Sequence, residues 1–584
     1  MEYITRFFHN HSTLIGVVLL CVVGVGIYAN SFSNQMFWDD NDGIINNVYV
    51  KNFEVKKFFT ENLIAGAGFQ SNYWRPMLLI TYASEWKLWG DWTPGYHVTN
   101  TLIHILNAII LFFILAYISK DFFFRFFPSL IFLIHPLQTE AITYVSGRGD
   151  PLSFLFILLG LLFYIKTFHH KAKEGRCTSK PWTYNVQILF YFLSLLMFIF
   201  ALLTKERAVI FPAYLILIEL WYWYKDEAST NFIGRNPPKP PHSPSELKNI
   251  HNLDSSTIPK ILPSARAGKI NFKKFFKKLI VSLLPFILIA CIYLLLRGTA
   301  LNFQNTFNIY NTETPYTASI VTRTVTFLKI LPSYVELYFF PKTLFMERSE
   351  TVSYAETFFD PLVLIGICIT LILIFLSIFK LKENPKYAFG TLFLFTTFFP
   401  ASGIFIPVAG IMYEHYMYAP IIGLSLVLAL LISDLLHPHI TSCLRSRPQC
   451  NVWNFKNFHC FFSIIVMVVI IVWVLFLSGR TMLRNTEWKD PITFYEQTIS
   501  YAPTSVRVWN NLGMAYADKH MNEKAIGAYS RAIALDPQNP IPYHNLGNIY
   551  EDEKNIEMAK QYWQTAISLN PQFIQPQLKL EKYK

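Results

Sequence analysis

Two adjacent carboxylates, Asp39 and Asp40, follow directly on the first long apolar run of the chain, within Trp38-Asp39-Asp40-Asn41-Asp42-Gly43. Neighbouring acids suit a general base that takes the proton of an acceptor hydroxyl, one of the pair oriented or raised in pKa by the other. The same residues also fit a helix N-cap or a calcium-like loop, helped by Asp42 and Gly43. Other ionisable residues recur at the ends of apolar runs: His135 and Glu140, Arg148 and Asp150, Lys205-Glu206-Arg207, Glu414 and His415 with Tyr418, and Arg480 with Arg484. Charge at or near membrane depth costs free energy and usually has a task. Taken singly, each residue reads equally as an interfacial side chain. Gathered on one face, they are what an enzyme needs to hold a lipid phosphate and deprotonate an acceptor.

The elements that must position them are membrane helices. Of 584 residues 53% are hydrophobic and only 15% charged, which excludes a soluble fold. The net charge of +12 is concentrated in a few loops between apolar runs, so it marks topology rather than nucleic-acid binding. Apolar stretches at residues 13–30, 97–118, 121–135, 151–166, 186–203, 207–224, 276–296, 360–379, 387–407, 417–436 and 461–479 give about eleven spans. The first is too long for a signal-peptide core and reads as a retained span. Lys-rich loops after the fourth, sixth and eighth stretches are expected in the cytoplasm, the longest at 225–275. This is consistent only if 319–344, with Arg323, Lys329, Glu336 and Lys342, lies at the interface. The N-terminus is then cytoplasmic, and the loop 31–95 and the tail lie outside. The seven cysteines imply no disulfide framework. His437, His439, Cys443, Cys450, His459 and Cys460 match no zinc spacing.

The tail, 485–584, carries the strongest pattern. Trp509, Leu512, Gly513, Tyr516, Ala525, Tyr529, Ala532 and Pro537 recur one period of 34 residues later as Tyr543, Leu546, Gly547, Tyr550, Ala559, Trp563, Ala566 and Pro571, the tetratricopeptide (TPR) signature. Repeats are expected at 506–539 and 540–573, with a half-repeat before them and a capping helix at 574–583. Asn511 and Asn545 occupy the sixth position of successive repeats, on the helix that lines the concave face. Their amides offer donor and acceptor to the backbone of an extended polypeptide. Asn510, His544 and Asn548 would enlarge that strip, although the same residues also serve merely to solvate a short array.

Several stretches together resemble the transmembrane and TPR-containing O-mannosyltransferase family and its bacterial relatives, within the GT-C class. They are FWDD (37–40), YWRP (73–76), PGYHVTNTLIH (94–104), IHPLQTEAITYVSGRGD (134–150), LLTKERAVIFP (202–212), YEHYMYAP (413–420) and GRTMLRNTEW (479–488). The resemblance implies an all-α fold: a polytopic GT-C bundle over 1–484 followed by a TPR solenoid. It implies inverting transfer of a monosaccharide, mannose in the family, from a polyisoprenyl-phosphate carrier to an acceptor hydroxyl on protein at the outer face. One of Asp39 and Asp40 matches the family's base. Arg75, His97, His135, Glu140, Arg148, Asp150, Lys205 and Glu206 stand where its motifs line the cleft. By charge, Arg148 and Lys205 would hold the donor phosphate, with Asp150 and Glu206 orienting them. A divalent metal at the carboxylates is left open. The enzyme would sit in the inner or plasma membrane of a bacterium, or the endoplasmic reticulum of a eukaryote. The loop near 226–269 and the short TPR array depart from the family pattern. A non-catalytic, membrane-anchored TPR scaffold is the alternative, but an anchor needs one span. A transporter would show repeated halves with charges at mid-depth.

Overall fold

The computed structural model describes residues 2–168, 181–233, 272–299, 314–346, 348–408, 410–445 and 455–583. Among these every regular element is helical. Seven helices are long and apolar enough to cross a membrane: His11–Ser31, Thr93–Ile118, Val145–Phe168, Asn185–Leu202, Phe275–Gly298, Pro361–Lys380 and Phe461–Glu487. The other expected spans form helices too, but Phe122–Ile134 and Lys386–Phe398 are short, and Phe211–Ile233 and Pro420–Arg445 end in polar turns. The expected cytoplasmic loop lies largely in 234–271, outside the described residues, and the His and Cys side chains of 437–460 do so as well.

Thr93–Ile118 and Val145–Phe168 are central, most of each apolar window being buried, whereas Pro361–Lys380 and Phe461–Glu487 expose most of theirs. A helix facing hydrocarbon gains nothing by hiding Leu371, Ile372 or Phe375, so these remain on the surface. The central helix carries a polar stripe instead. His97, Asn100, His104 and Asn107 are spaced three and four apart, share one face and are all buried. Their partners are backbone carbonyls at helix ends and in the turns between them, with the Tyr418 hydroxyl. Asn100 donates to the carbonyls of Ile142 (3.1 Å) and Tyr144 (3.3 Å), and Asn107 to that of Pro151 (2.8 Å). His104 lies 2.9 Å from the Tyr418 hydroxyl and 3.2 Å from the Leu133 carbonyl. Irregular backbone at this depth survives only if its polar groups are satisfied from within the protein. The stripe does this for the segment 134–151 and so fixes two short helical turns, Thr139–Ile142 and Val145–Arg148, which carry Glu140 and Arg148.

Helix Ile320–Phe339, expected at the interface, has 20 residues and is not among the seven apolar candidates. Arg323 within it is buried and donates to the carbonyls of Ile404 (2.9 Å), Thr317 (2.9 Å) and Tyr316 (3.1 Å).

The tail forms helix pairs Val506–Asp518 with Asn522–Leu535 and Pro540–Asp552 with Ile556–Leu569. Pro491–Tyr501 precedes them and Ile574–Lys582 follows. A Cβ on Gly513 would stand 2.5 Å from the Tyr529 ring, and one on Gly547 2.4 Å from Trp563. Only glycine permits each pair to cross so closely, the aromatic of the second helix filling the seam. The array is docked on the first loop: Phe37 packs against Trp488, Phe494 and Tyr495 with ring centroids 6.1, 5.4 and 6.1 Å away, and the Gln35 amide donates to the Lys489 carbonyl (2.9 Å).

Candidate active site

The two acids of the first loop have different surroundings. Asp40 is buried (1% exposed) and fully engaged. Its Oδ1 accepts from the Ser146 amide (2.7 Å) and hydroxyl (2.5 Å), and its Oδ2 from the Phe37 amide (3.3 Å). Burial pushes its carboxyl up to about 7 in spite of these donors. Asp39 is solvent-accessible. Its amide donates to the Tyr144 hydroxyl (3.1 Å). Loss of bulk water raises its pKa, while the Tyr144 hydroxyl and the Arg507 and Arg75 guanidinium groups oppose the rise. The acids part because they are consecutive residues of one helical turn and so point in different directions; Trp38 before them adopts a left-handed backbone (φ 61°), uncommon for a bulky residue.

Lys205-Glu206-Arg207 lies between two helices, directly beside Arg75. Arg75 and Glu206 form a two-pronged pair, Nη2 to Oε1 at 2.8 Å and Nε to Oε2 at 3.2 Å, with Arg297 3.8 Å from the same carboxylate. Burial works against ionisation of Glu206, yet Arg75 and Arg297 hold it well below the usual carboxylate range. Lys205 is paired with Asp150 (2.7 Å), and burial pulls it down to about 8 against that partner. Arg207 stacks over the Tyr416 ring (4.2 Å). His415 Nδ1 lies 2.7 Å from Glu140 Oε1, and its amide donates to Oε2 (2.9 Å). Burial alone would raise Glu140, but the adjacent imidazole holds it below its ordinary range.

Asp150, Lys205, Arg207 and His415 converge on a recess lined also by Phe154, Ile157, Ile210, Tyr214, Pro400 and other largely apolar groups. Cations thus stand at one end of an apolar slot. Arg75 lies between the slot and the first loop, interacting electrostatically with Asp39 as well as with Asp150, Lys205 and Arg207.

Three of the residues expected in the cleft are placed elsewhere. Arg148 is fully buried. It donates to Glu85, Asn100 (2.5 Å), the Tyr96 carbonyl (3.2 Å) and Thr81 (3.3 Å), and lies over the Tyr82 ring. Its guanidinium braces helix Pro76–Trp89 against the central helix and does not line the recess, whereas Arg207 does. Glu206 likewise orients Arg75 rather than Lys205. His97 meets the Asn34 carbonyl (3.1 Å), and His135 bridges the Tyr338 carbonyl (2.9 Å) and the Leu137 amide (3.2 Å). Both are buried tethers. The sequence reading noted Arg207 and His415 but did not select them. The signal was available: Arg207 adjoins two selected charges, and His415 lies in a motif already singled out.

Among the described residues no three His, Cys, Asp or Glu side chains gather to hold a metal ion. The carboxylates fit such a group poorly, since Glu206, Asp150 and Glu140 are each committed to a cation or imidazole and Asp40 to Ser146. In the array, Asn511 hydrogen-bonds Tyr495, which itself faces Asp39. Asn545 donates to Asn510 (2.9 Å), and Asn510 is buried. Part of the expected polar strip is therefore a joint between repeats.

Family models for a TPR repeat match residues 521–554 and for a tetratricopeptide repeat 540–573. The mouse protein O-mannosyl-transferase TMTC1 is 23% identical over 88% of this chain and 57% of its own. The Caenorhabditis elegans protein O-mannosyl-transferase F38B6.6 is 23% identical over 87% and 61%. The chain therefore spans little more than half the length of these curated relatives. Among solved structures, the Archaeoglobus fulgidus oligosaccharyltransferase tethered with an acceptor peptide overlaps at a TM-score of 0.42 and 11% identity, covering 82% of this chain and 56% of that one. ArnT from Cupriavidus metallidurans does so at 0.40 and 12%, covering 90% and 80%. Both are distant likenesses. With an integral membrane helical bundle and a C-terminal pair of TPR hairpins, the chain is similar along nearly its whole sequence to TMTC-type protein O-mannosyl-transferases.

Proposed function

We propose that the protein is a glycosyltransferase that moves a monosaccharide, mannose by homology, from a polyisoprenyl-phosphate carrier to a hydroxyl of a polypeptide. The observation that carries this reading is the amphipathic recess: Lys205, Arg207 and His415 at its polar end suit a phosphate, and its apolar walls suit an isoprenoid. Asp39 is the base, because it is the accessible member of the pair. It takes the acceptor proton as the hydroxyl oxygen bonds to the anomeric carbon, and the bond from that carbon to the phosphate oxygen breaks. Attack from the side opposite the phosphate inverts the anomeric centre. Asp40 anchors the loop to Ser146 so that Asp39 is held in place. Lys205 and Arg207 stabilise the charge that grows on the departing lipid phosphate. Arg75, fixed by Glu206, links the two ends of the site. By the positive-inside rule the loop and the TPR array face away from the cytoplasm.

The test is to incubate purified protein with a panel of polyprenyl-phosphate sugars and a hydroxyl-bearing peptide, scoring lipid-phosphate release and glycopeptide. Release that depends on Lys205, Arg207 and Asp39 supports the reading. Release that is absent for every donor, or unchanged in Lys205→Met, Arg207→Gln and Asp39→Asn, refutes it in favour of a scaffold.

A further inference from the structure

On the reading that Asp39 is the base, we propose that the TPR array completes the catalytic centre, with Arg507 of its first hairpin acting as the positioning residue for the Asp39 carboxylate.

Asp39 opens a short helical turn that runs on into Asn41–Ile45, and the entry to that turn is packed from two sides. From the membrane part, Tyr144 stacks on Trp38 (5.5 Å, 24° between planes) and its hydroxyl takes the Asp39 amide. From the array side come Phe494, 6.5 Å from Trp38, and the guanidinium of Arg507, 5.9 Å from the same ring. The Trp38 ring thus lies against groups of both domains. A left-handed backbone at a bulky residue persists only where the surroundings over-determine it. Here part of that constraint comes from the TPR module, and the conformation it supports sets the entry to the turn that carries Asp39 and Asp40. Phe37, one residue earlier, is buried in the same aromatic cluster as Trp488, Phe494 and Tyr495.

The groups facing Asp39 come from every neighbouring element: Asp40 and Asp42 of its own loop, Arg75, Tyr144, and Tyr495 and Arg507 of the array. Two cations, Arg507 and Arg75, act on it. Arg75 is already neutralised by its two-pronged pair with Glu206. Arg507 opposes the rise that desolvation gives the Asp39 carboxyl, and it stands one helical turn before Asn511 on the same helix. A polypeptide lying along that helix reaches the base at its end.

The experiment measures kcat/KM against pH for full-length protein with a lipid-phosphate sugar and a peptide acceptor, in wild type, Arg507→Gln, Arg507→Lys and Asp39→Asn. Loss of the cation raises the pKa of the base, so Arg507→Gln should move the acidic limb to higher pH and cut kcat/KM by roughly tenfold on that limb. Activity at high pH should be retained, Arg507→Lys should restore the limb, and thermal stability should stay close to wild type. An unmoved limb, or a uniform loss at all pH values that lysine does not rescue, overturns the proposal while leaving Asp39 as base. Full activity of Asp39→Asn overturns the base assignment, and the proposal with it.

Discussion

Replacing Lys205 tests the donor pocket most directly, because its two roles have separable magnitudes. Lys205 is paired with Asp150 at 2.7 Å and lines the recess. A charge-assisted hydrogen bond to a phosphate contributes about 1.5–3 kcal/mol. At 1.36 kcal/mol per factor of ten, Lys205→Met should weaken binding of a polyprenyl phosphate by about 10- to 150-fold. The same change strands the Asp150 carboxylate, which costs about 3–5 kcal/mol of stability when a buried partner is removed. The double replacement Lys205→Met with Asp150→Leu removes both charges and should recover most of the stability, since swapping a buried pair for apolar groups is often neutral. It should not recover the affinity. Wild-type affinity has a pH signature as well. Burial brings Lys205 to about 8, so the cation is present below that value and lost above it. Binding should therefore fall as pH rises through about 8, and Lys205→Met should flatten that fall. The assay is equilibrium binding of the lipid phosphate in detergent, with thermal unfolding on the same samples. Unchanged affinity in Lys205→Met, or affinity restored in the double variant, would refute the phosphate role.

Asp39→Asn should lower sugar transfer by two or more orders of magnitude while leaving donor binding intact, on the scale of losing a positioned base; equal donor binding but undiminished turnover would contradict the assignment. Asp40→Ala strands the Ser146 and Phe37 amides and should loosen the loop by roughly 2–3 kcal/mol, seen as faster amide exchange at those two residues and absent if Asp40 does not tether them. Arg148→Ala leaves the Glu85 carboxylate buried and unpaired, so it should destabilise the fold by about 3–5 kcal/mol without a specific donor-binding defect; a stable variant that cannot bind donor would return Arg148 to the pocket. Gly547→Ala drives a methyl group into Trp563 and should cost about 1–3 kcal/mol in the TPR module, read as earlier unfolding of 540–583.

The sequence by itself determined the class of protein and the periodic parts of it. Composition excluded a soluble fold, apolar run length located the long spans, and a 34-residue period with glycine opposite aromatic placed the TPR hairpins. Those features are local, so the chain records them in order. Runs such as 121–135 and 387–407 read as spans because hydropathy does not report where a helix stops; Phe122–Ile134 and Lys386–Phe398 are short, each ending in a 3-10 or extended turn. The candidate site divided in the same way. The charged positions were legible, but their roles depend on which opposite charge lies within a few ångströms. Arg148 and Lys205 look equivalent in sequence, yet Arg148 is enclosed by Glu85, Asn100 and Tyr96 while Lys205 reaches the recess. Asp39 and Asp40 are chain neighbours, and only the packing of Asp40 against Ser146 leaves Asp39 the accessible one. Arg507 lies 468 positions after Asp39 in the chain and meets it only because Phe37 is buried among the aromatics that open the TPR array. Pairings of that separation are set by packing between domains, and no local pattern encodes them.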